Sequence, residues 1–361
     1  MKKALLIIGD KKTKGRTLDP SFNAFLRSIE NVKNNELEVH IINYKNVFEG
    51  NLPKVSSLGL NVLLFFPFKY WDGDIEVYKE ASKVYGDKIF GREFKKYFNK
   101  LEKTIHKKYS DKKIEYVNPP SISILDRDKE ESKKFFRKHN IPTPKSFDVK
   151  NIKDLHRLTN RGISLYIKPR FGALGKGITY LSDGFLITNF LLRKGKIISH
   201  PYDYHWRFHE IKDSDKNTFL KILLSRGFIF EEAIDPPICK GRRSDFRVYC
   251  IYGNISYYYV RTTPVVSLVT NWSQGGTIEP KRKLSKYISN SNLERVKSLA
   301  RKVAKELKLN YAGVDIIFSK DYKKIYVLEA HSFSGYEKGF DLMGNMAKEI
   351  LKASRKARNK S

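Results

Sequence analysis

At Tyr166-Ile-Lys-Pro-Arg-Phe-Gly-Ala-Leu-Gly-Lys-Gly-Ile178 the sequence places a lysine and a glycine-rich loop between two apolar runs. The runs Ser164–Lys168 and Ile178–Leu181 predict two strands, so Lys168 stands where the first strand ends. Glycine lets backbone N–H groups approach oxygen atoms closely, and lysine supplies a fixed positive charge, as phosphate binding requires. The candidate phosphate-binding residues of the loop are Gly172, Gly175, Lys176 and Gly177. A strand follows this loop, whereas a helix follows a P-loop, and taken alone a glycine hairpin beside an unrelated lysine is the simpler interpretation.

Two acidic residues lie in a predicted hairpin formed by Gly313–Phe318 and Ile325–Glu329. Side chains alternate along a strand, so Glu329 and His331 share one face, and the hairpin brings Asp315 alongside them. Carboxylates embedded in apolar strands are costly unless a cation compensates their charge. Their oxygens suit Mg²⁺, so the pair indicates a Mg²⁺ site that bridges to nucleotide phosphates. Two acids that face solvent at strand ends are the alternative interpretation.

A third polar group begins at Arg242-Arg-Ser-Asp-Phe-Arg-Val-Tyr249 and continues in the loop Asn271-Trp-Ser-Gln-Gly-Gly276. Asp245 and Arg247 fall on the same face of a predicted strand. The planar guanidinium of Arg247 can bind two phosphate oxygens at once. An ordinary cross-strand ion pair explains the same residues, and it is the more common arrangement.

The first third of the chain alternates apolar runs with helical stretches, which predicts an α/β domain with a mostly parallel sheet. Its predicted elements are the strands Ala4–Ile8, Val39–Ile42 and Asn61–Phe66 and the helices Ser21–Val32 and Ile75–Tyr85. The later predicted elements are the helices Glu130–His139, Asn292–Leu307 and Leu342–Ala357 and the strands Phe228–Glu232, Phe246–Tyr252 and Ile255–Arg261. The fold class is therefore mixed, α/β with α+β character.

Composition excludes several classes of protein. Hydrophobic residues make up 40% of the 361-residue chain, too many for a disordered protein. The sequence contains no run of about 18 apolar residues, so we expect no transmembrane helix. Cys239 and Cys250 are the only cysteines, which excludes a disulfide framework and a cysteine metal site. We expect a soluble, cytoplasmic protein without a membrane partner.

The chain is strongly basic, with 70 Lys and Arg against 39 Asp and Glu and a formal net charge of +31. This charge favours an acidic peptide, the ribosome or a nucleic acid as partner. The basic residues are spread along the chain, so solvated lysine-rich faces are the alternative interpretation. The densest run, Arg92 to Lys113, has aromatic residues at helical spacing, which predicts an amphipathic helix with those aromatics in the core.

Several short motifs follow one another in a characteristic order. They are Asp128-Lys129 before a helix, Pro142-Thr-Pro144, the Lys168 loop, Glu231-Glu-Ala-Ile234, Asp245-Phe-Arg247, Asn271, Gly313-Val-Asp315 and Glu329-Ala-His331. This order resembles the ATP-grasp superfamily, and most closely the ribosomal protein S6 modification (RimK-type) glutamate ligases, from Val117 to Ile350. The resemblance implies an ATP-grasp fold preceded by a Rossmann-like α/β domain. It implies a first domain at 1–115, an N-terminal ATP-grasp subdomain at 116–224 and a C-terminal subdomain with a basic tail at 225–361.

The resemblance also implies which residues contact ATP. They are Lys129, Lys168, Gly172, Gly175, Lys176, Gly177, Glu231, Glu232, Ala233, Ile234, Asp235, Asp245, Arg247 and Asn271. By this likeness Lys129 and Lys168 hold the phosphates, the backbone of residues 231–234 meets the adenine edge, and Asp235 reaches the ribose.

Asp315 and Glu329 match the Mg²⁺ ligands of the superfamily, and His331 stands where its pattern has Asn. Neutral imidazole is a poorer Mg²⁺ ligand than an amide oxygen, which argues against a second metal ion. The expected metal is Mg²⁺, with Mn²⁺ as an alternative ion. Arg261 matches a position associated with the amino-acid substrate, and Gln274 replaces an Arg of the pattern. The residues expected to act in catalysis are Lys168, Arg247 and Arg261.

The resemblance implies an ATP- and Mg²⁺-dependent carboxylate–amine ligase that forms an amide or peptide bond through an acyl phosphate. Its substrates would be small-molecule or peptide carboxylates and amines, and the loop 172–177 would close as a lid against water. Phosphoryl transfer needs positioning and charge neutralisation more than a covalent residue, which agrees with the lack of an evident nucleophile. A small-molecule kinase on the same scaffold is one alternative. A basic nucleic-acid- or ribosome-binding protein with a degenerate nucleotide site is another.

Overall fold

Helices pack on both parallel and antiparallel sheets, the mixed α/β class that the sequence predicts. The computed structural model describes residues 3–11, 20–32, 37–71, 84–199, 206–270, 275–279, 281–333 and 340–356. No helix in these ranges is both long and apolar enough to cross a membrane.

The N-terminal part forms a parallel four-stranded sheet in the order β2-β1-β3-β4. Its elements are β1 (Lys3–Ile8), α1 (Pro20–Val32), β2 (Glu38–Ile42), α2 (Tyr44–Phe48), β3 (Gly59–Leu64), α3 (Phe68–Tyr70), α4 (Lys88–Lys108) and β4 (Lys113–Tyr116). The described residues of β1 and those of β3 are buried on both faces, which is why these strands read as continuous apolar runs. The predicted parallel sheet is confirmed.

The basic run from Arg92 to Lys113 extends past the predicted amphipathic helix, which is α4. Helix α4 begins at Lys88 because the Asp87 carboxylate accepts a hydrogen bond from the Ile89 N–H at 2.8 Å. It ends at Lys108, and Lys113 belongs to β4 instead. Its buried residues are Phe90, Phe94, Tyr97, Phe98, Leu101 and Ile105. The aromatic residues therefore serve the core, as predicted. Most of the predicted helix Ile75–Tyr85 lies outside the described ranges, which leave out residues 72–83.

The central part forms an antiparallel sheet in the order β11-β8-β7-β6-β12-β5, with β9 and β10 paired separately. Its elements are α5 (Pro120–Arg127), α6 (Lys129–Lys138), β5 (Ser146–Phe147), α7 (Ile152–Thr159), β6 (Leu165–Lys168), β7 (Thr179–Ser182), β8 (Phe185–Thr188), β9 (Leu191–Arg193), β10 (Lys196–Ile198), β11 (His209–Glu210), α8 (Asp213–Ser225) and β12 (Ile229–Glu232). The Asp128 carboxylate caps α6 by accepting from the N–H groups of Glu130 and Glu131. Asn140, at a φ of 51°, follows the end of this helix. Lys129 thus occupies the first position of α6.

The C-terminal part forms a second antiparallel sheet in the order β16-β15-β14-β17-β18, with β13 paired to β14. Its elements are β13 (Ile238–Cys239), β14 (Arg242–Ile251), β15 (Asn254–Pro264), β16 (Thr277–Glu279), a 3-10 helix (Lys281–Lys286), α9 (Asn290–Glu306), β17 (Tyr311–Phe318), β18 (Ile325–His331) and α10 (Leu342–Lys356). Helix α9 covers one face of the sheet, and α10 packs against α1 of the N-terminal part.

The register of this sheet aligns charged residues across three strands. Arg247 of β14 pairs with Asp315 of β17, and Asp315 pairs with Glu329 of β18. Arg261 of β15 lies opposite Asp245 of β14 in the same way. Directly opposite residues lie on the same face of an antiparallel pair, so the strand pairing alone brings these side chains together.

Glu38 of β2 forms hydrogen bonds whose contribution to the stability of the N-terminal part can be tested. Its carboxylate accepts hydrogen bonds from the N–H and hydroxyl groups of Ser56 and Ser57 and contacts His40 at 2.8 Å. Burial raises its pKa, but these bonds outweigh burial and lower the pKa to about 2.

We expect Glu38→Gln to lower the free energy of unfolding by about 1–2 kcal/mol at neutral pH. Because the folded pKa lies below the unfolded value of 4.5, the stabilisation is complete above pH 4.5 and disappears as the pH falls towards 2. Urea denaturation across this range should show the variant and the wild type converging. Glu49→Gln, at an exposed residue after α2, is the control, and a loss that is the same at every pH would contradict the assignment.

Candidate active site

A cleft of about 1020 Å³ opens between the glycine loop, β12 and the C-terminal sheet. The predicted site residues that line it are Lys129, Lys168, Gly172, Gly175, Lys176, Glu231, Glu232, Ile234, Asp245, Arg261, Asp315 and Glu329. Residues from widely separated parts of the sequence therefore meet at one cleft.

The remaining predicted site residues lie elsewhere. Gly177 has a φ of +71° and packs against Phe190. A Cβ atom at this position would lie 2.7 Å from the Phe190 ring, so there is no room for a side chain. Asp235 is exposed and lies 3.9 Å from Arg243 at the closest charged atoms. Arg247 and His331 also lie outside the cleft lining, but they contact Asp315 and Glu329, which line it. Ala233 is described but does not line the cleft. Asn271 and Gln274 lie outside the described residues.

The glycine loop is held by side chains at both ends. The Tyr85 hydroxyl accepts from the Ala173 N–H at 2.9 Å and is 3.2 Å from the Ala173 carbonyl oxygen. Asn189 donates from its amide to the Gly175 carbonyl at 2.7 Å and accepts from the Ile178 N–H at 2.8 Å. Gly172 must lack a side chain, because a Cβ atom would lie 2.7 Å from the Pro169 ring. Tyr85 comes from the N-terminal part, so that part helps to fix the loop.

Glu231 lies buried between two lysines. It is 1% exposed, and its carboxylate oxygens lie 2.8 Å from Lys168 Nζ and 3.3 Å from Lys133 Nζ. Burial raises the pKa of Glu231, but the two ammonium groups outweigh it and hold the pKa below its usual value. Burial also lowers the pKa of Lys133, which Glu231 only partly offsets. The Glu231 side chain therefore holds the two lysines, a role that the sequence did not predict.

Lys133 was missed by the sequence analysis, although a signal exists. Lys129, Lys133 and Phe136 form the buried stripe of α6 at positions i, i+4 and i+7. Lysines on the apolar face of an amphipathic helix indicate an acidic partner inside the protein.

The predicted adenine-binding segment is only partly available to a ligand. The N–H of Glu232 donates to the Lys145 carbonyl, and the N–H of Ala233 donates to the Ser164 carbonyl, both at 2.8 Å. Glu232 and Ile234 nevertheless line the cleft. Contacts of this segment with a base would therefore come from groups other than these two N–H donors.

Lys129 joins the glycine loop to the acidic hairpin. Its ammonium group donates to the Gly172 carbonyl and lies 3.3 Å from Glu329 Oε1. A single cation thus contacts both the loop and the candidate metal ligands, at a residue that is 9% exposed.

The charged residues of the C-terminal sheet form a continuous network. The Arg247 guanidinium donates to both oxygens of Asp315, and Arg261 donates to both oxygens of Asp245 at 2.7 and 2.8 Å. Arg261 also lies 3.1 Å from Asp315. Burial raises the pKa of Asp315, but Arg247 and Arg261 hold it well below its usual range. The ion pair considered from the sequence is present, with Asp315 rather than Asp245 as the partner of Arg247.

His331 lies among three carboxylates. Its Nε2 atom is 3.4 Å from Asp315 and 3.6 Å from Glu329, and its Nδ1 atom is 3.7 Å from Asp126. Burial and Arg247 lower its pKa, but the contacts with Asp126 and Asp315 raise it to about 9.

Asp126 was also missed. Its Oδ2 atom accepts from the Ser332 N–H at 2.8 Å and the Ser332 hydroxyl at 2.9 Å. The sequence contains no signal that Asp126 contacts Ser332 and His331, because these contacts depend on the docking of α5 against the end of β18.

The residues present fit a divalent cation that arrives with phosphate groups. Asp315, Glu329 and His331 each offer a ligand atom, and these atoms all lie within 4.8 Å of one another. Two of the three donors are carboxylate oxygens, the donors that Mg²⁺ prefers. Arg247, Arg261 and Lys129 already offset much of the negative charge, so additional anionic ligands would favour cation binding.

Comparisons with known proteins agree with this architecture. The sequence model of the YheC/D-like ATP-grasp family matches residues 133–354, whereas a search of curated proteins gave no significant match. The ATP-grasp ligase PsnB, solved with a minimal precursor, is 15% identical with a TM-score of 0.57, over 98% of this chain and 100% of its own.

Two further solved structures are similar in fold. D-alanine–D-alanine ligase from Bacillus anthracis, complexed with ATP, is 16% identical with a TM-score of 0.53, over 100% of this chain and 99% of its own. A RiPP-associated ATP-grasp ligase from Chryseobacterium gregarium, with ADP and a leader and core peptide, is 13% identical with a TM-score of 0.56, over 98% and 97%. The predicted ATP-grasp fold is confirmed, and the closer likeness to RimK-type ligases stays a prediction.

Lys133 provides a test of the buried lysine–glutamate group. We expect Lys133→Met to lower the free energy of unfolding by about 1–3 kcal/mol, because the buried Glu231 carboxylate keeps only Lys168 as a partner. Chemical denaturation measures the loss. Lys134→Met is the matched control, since the adjacent Lys134 is exposed and pairs with Glu130 and Glu131 at the surface. Equal effects of the two substitutions would show that Lys133 has no special role.

Proposed function

Because this chain belongs to the YheC/D-like ATP-grasp family, we propose that it is an ATP-dependent carboxylate–amine ligase. ATP phosphorylates a substrate carboxylate to an acyl phosphate with release of ADP. An amine then attacks the acyl carbon, an amide bond forms, and phosphate leaves. The observation that carries this proposal is the position of Lys129, which contacts both the glycine loop and Glu329 at one cleft.

The cations of the cleft have separate tasks in this reaction. Lys129 and Lys168 hold phosphate oxygens from the α6 and β6 sides, and Glu231 keeps Lys168 in place. Arg261 lines the cleft beside Asp315 and neutralises charge on the transferred phosphoryl group. Arg247 does not line the cleft, and its task is to orient the Asp315 carboxylate, to which it donates two hydrogen bonds.

The glycine loop excludes water from the acyl phosphate. Gly172, Gly175 and Lys176 line the cleft, while Leu174 between them is 52% exposed. Tyr85 and Asn189 hold the main chain of the loop, so ligand-driven movement is expected in the side chains and the loop tip more than at its ends.

Asp315 and Glu329 would hold Mg²⁺, whose charge would neutralise the phosphates of the nucleotide. PsnB, which is similar in fold, has been solved with its minimal precursor, Mg and ADP, which supports the choice of this ion. In this chain His331 is the third candidate ligand, with Mn²⁺ as an alternative ion.

We propose that one of the two substrates that the ligase joins is a peptide. PsnB and the Chryseobacterium gregarium ligase were both solved with peptides, and the strongly basic surface of this chain suits acidic ones. A phosphate-release screen with Mg-ATP, in which amino acids, small acids and short acidic peptides are paired, tests this proposal. A phosphorylated product that forms without an amine would instead indicate a kinase.

Lys168 tests the nucleotide site. We expect Lys168→Ala to weaken the binding of ADP with Mg²⁺ by an amount on the order of 1.5–3 kcal/mol, because a charge-assisted phosphate contact is lost. Isothermal titration calorimetry measures the change. Lys196→Ala, at an exposed strand lysine of β10, serves as the control. Unchanged affinity in a folded Lys168→Ala variant would make Lys168 a structural partner of Glu231 only.

Glu329 tests the metal site. Glu329→Gln keeps the size of the side chain but removes its charge, so we expect it to abolish ligation and to weaken the Mg²⁺-dependent part of nucleotide binding. Thermal stability should fall slightly, because Lys129 loses an ionic partner. The control is Glu294→Gln at an exposed residue of α9 that pairs with Lys297. Full turnover in Glu329→Gln would mean that the acids of the hairpin are structural.

A further inference from the structure

His331 stands at the end of β18 with its Nε2 atom turned towards the candidate metal ligands. Nε2 lies 3.4 Å from Asp315 Oδ2 and 3.6 Å from Glu329 Oε2. Neighbouring ligands of an octahedral ion are about 3 Å apart when the metal–ligand bonds are about 2.1 Å. The observed separations are close to that spacing, so the ring nitrogen and the two carboxylates can share one ion.

Asp126 faces the other nitrogen of the same ring. Asp126 Oδ1 is 3.7 Å from His331 Nδ1, and Oδ2 is fixed by the N–H and hydroxyl groups of Ser332. A carboxylate that faces the non-ligating nitrogen is the usual companion of a metal-binding histidine, because it holds the proton on that nitrogen and leaves the other nitrogen with its lone pair. The ring is therefore oriented to present Nε2 to an ion between Asp315 and Glu329.

The third ligand decides which ion the site prefers. Mg²⁺ binds oxygen ligands and accepts nitrogen poorly, whereas first-row transition ions bind imidazole readily and bind most mixed sites more tightly. An asparagine at this position would complete an all-oxygen set. Histidine makes the set two carboxylate oxygens and one nitrogen.

We infer that His331, oriented by Asp126, is the nitrogen ligand of a mixed oxygen–nitrogen site that prefers Mn²⁺ to Mg²⁺. This inference rests on the proposed function, because the cation is expected to arrive with the phosphates of a nucleotide. Asp126 is a positioning residue in this arrangement, since it acts through the imidazole.

Pulsed electron paramagnetic resonance of the full chain with ADP and Mn²⁺ reads out the ligand directly. The measurement is made at mildly alkaline pH, where imidazole gives up its proton to a cation more easily. We expect a coupling between Mn²⁺ and a directly bound imidazole nitrogen, which His331→Asn removes. His139→Asn is the matched control, because His139 also faces a carboxylate, Glu306 at 2.7 Å, but lies at the end of α6. His331→Gln replaces His331→Asn if that variant does not fold.

Competition between Mn²⁺ and Mg²⁺ in the presence of ADP measures the preference. We expect His331→Asn to reduce the ratio of Mn²⁺ to Mg²⁺ affinity by about 10-fold or more. Asp126→Asn should keep the nitrogen coupling but weaken Mn²⁺ binding by about 10-fold. ADP binding with Mn²⁺ but without nitrogen coupling, or an unchanged affinity ratio in His331→Asn, would overturn this inference and leave the proposed function standing. No ADP binding with either ion would overturn both.

Discussion

The buried carboxylate of Asp315 is the point on which the rest of the site depends. It is 5% exposed, and two guanidinium groups, from β14 and β15, replace the water that the sheet has removed. The pairing of β14, β17 and β18 sets this arrangement, and a shift of one residue in either pair would turn the side chains to opposite faces. Removing either arginine would leave a buried charge only partly compensated, which is more costly than never having buried it. The sheet register and the charges therefore reinforce each other.

The site also depends on contacts between segments that are distant in sequence. The Asn118 side chain donates to the carbonyls of Tyr311 and Ser332 and accepts from the Tyr311 N–H, so the segment before α5 is fixed to both strands of the hairpin. Asp126 then fixes α5 to Ser332, and Lys129 at the start of the next helix reaches the glycine loop. A displacement of α5 would thus move the loop contact and the candidate metal ligands together. The loop and the hairpin are coupled through one short helix.

Local rules account for what the sequence predicts well. Strand alternation and a tight hairpin are enough to place Asp315 beside Glu329, and glycine spacing is enough to identify the loop. The partners of these residues depend on strand order and helix docking, which local pattern does not contain. For this reason Asp315 was not predicted as the partner of Arg247, and the sequence indicated Mg²⁺, rather than Arg247 and Arg261, as the cation that compensates the acids of the hairpin. The contacts of the Glu231 side chain with two lysines were missed for the same reason, because one lysine lies on α6 and the other on β6.

The large net charge belongs to the surface and not to the cleft. Around Asp315, Glu329 pairs with Lys129, Asp245 pairs with Arg261, and Asp126 faces His331, while Arg247 pairs with Asp315 itself. The described charges of the site therefore nearly cancel. Exposed lysines lie instead on α4, and Gly91 of this helix packs against the Phe171 ring beside the glycine loop. Exposed cations raise the local concentration of anions within about one Debye length. Because these lysines lie outside the network of Asp315, in the proposed function they would attract anionic substrates without competing for the carboxylates that would hold the metal.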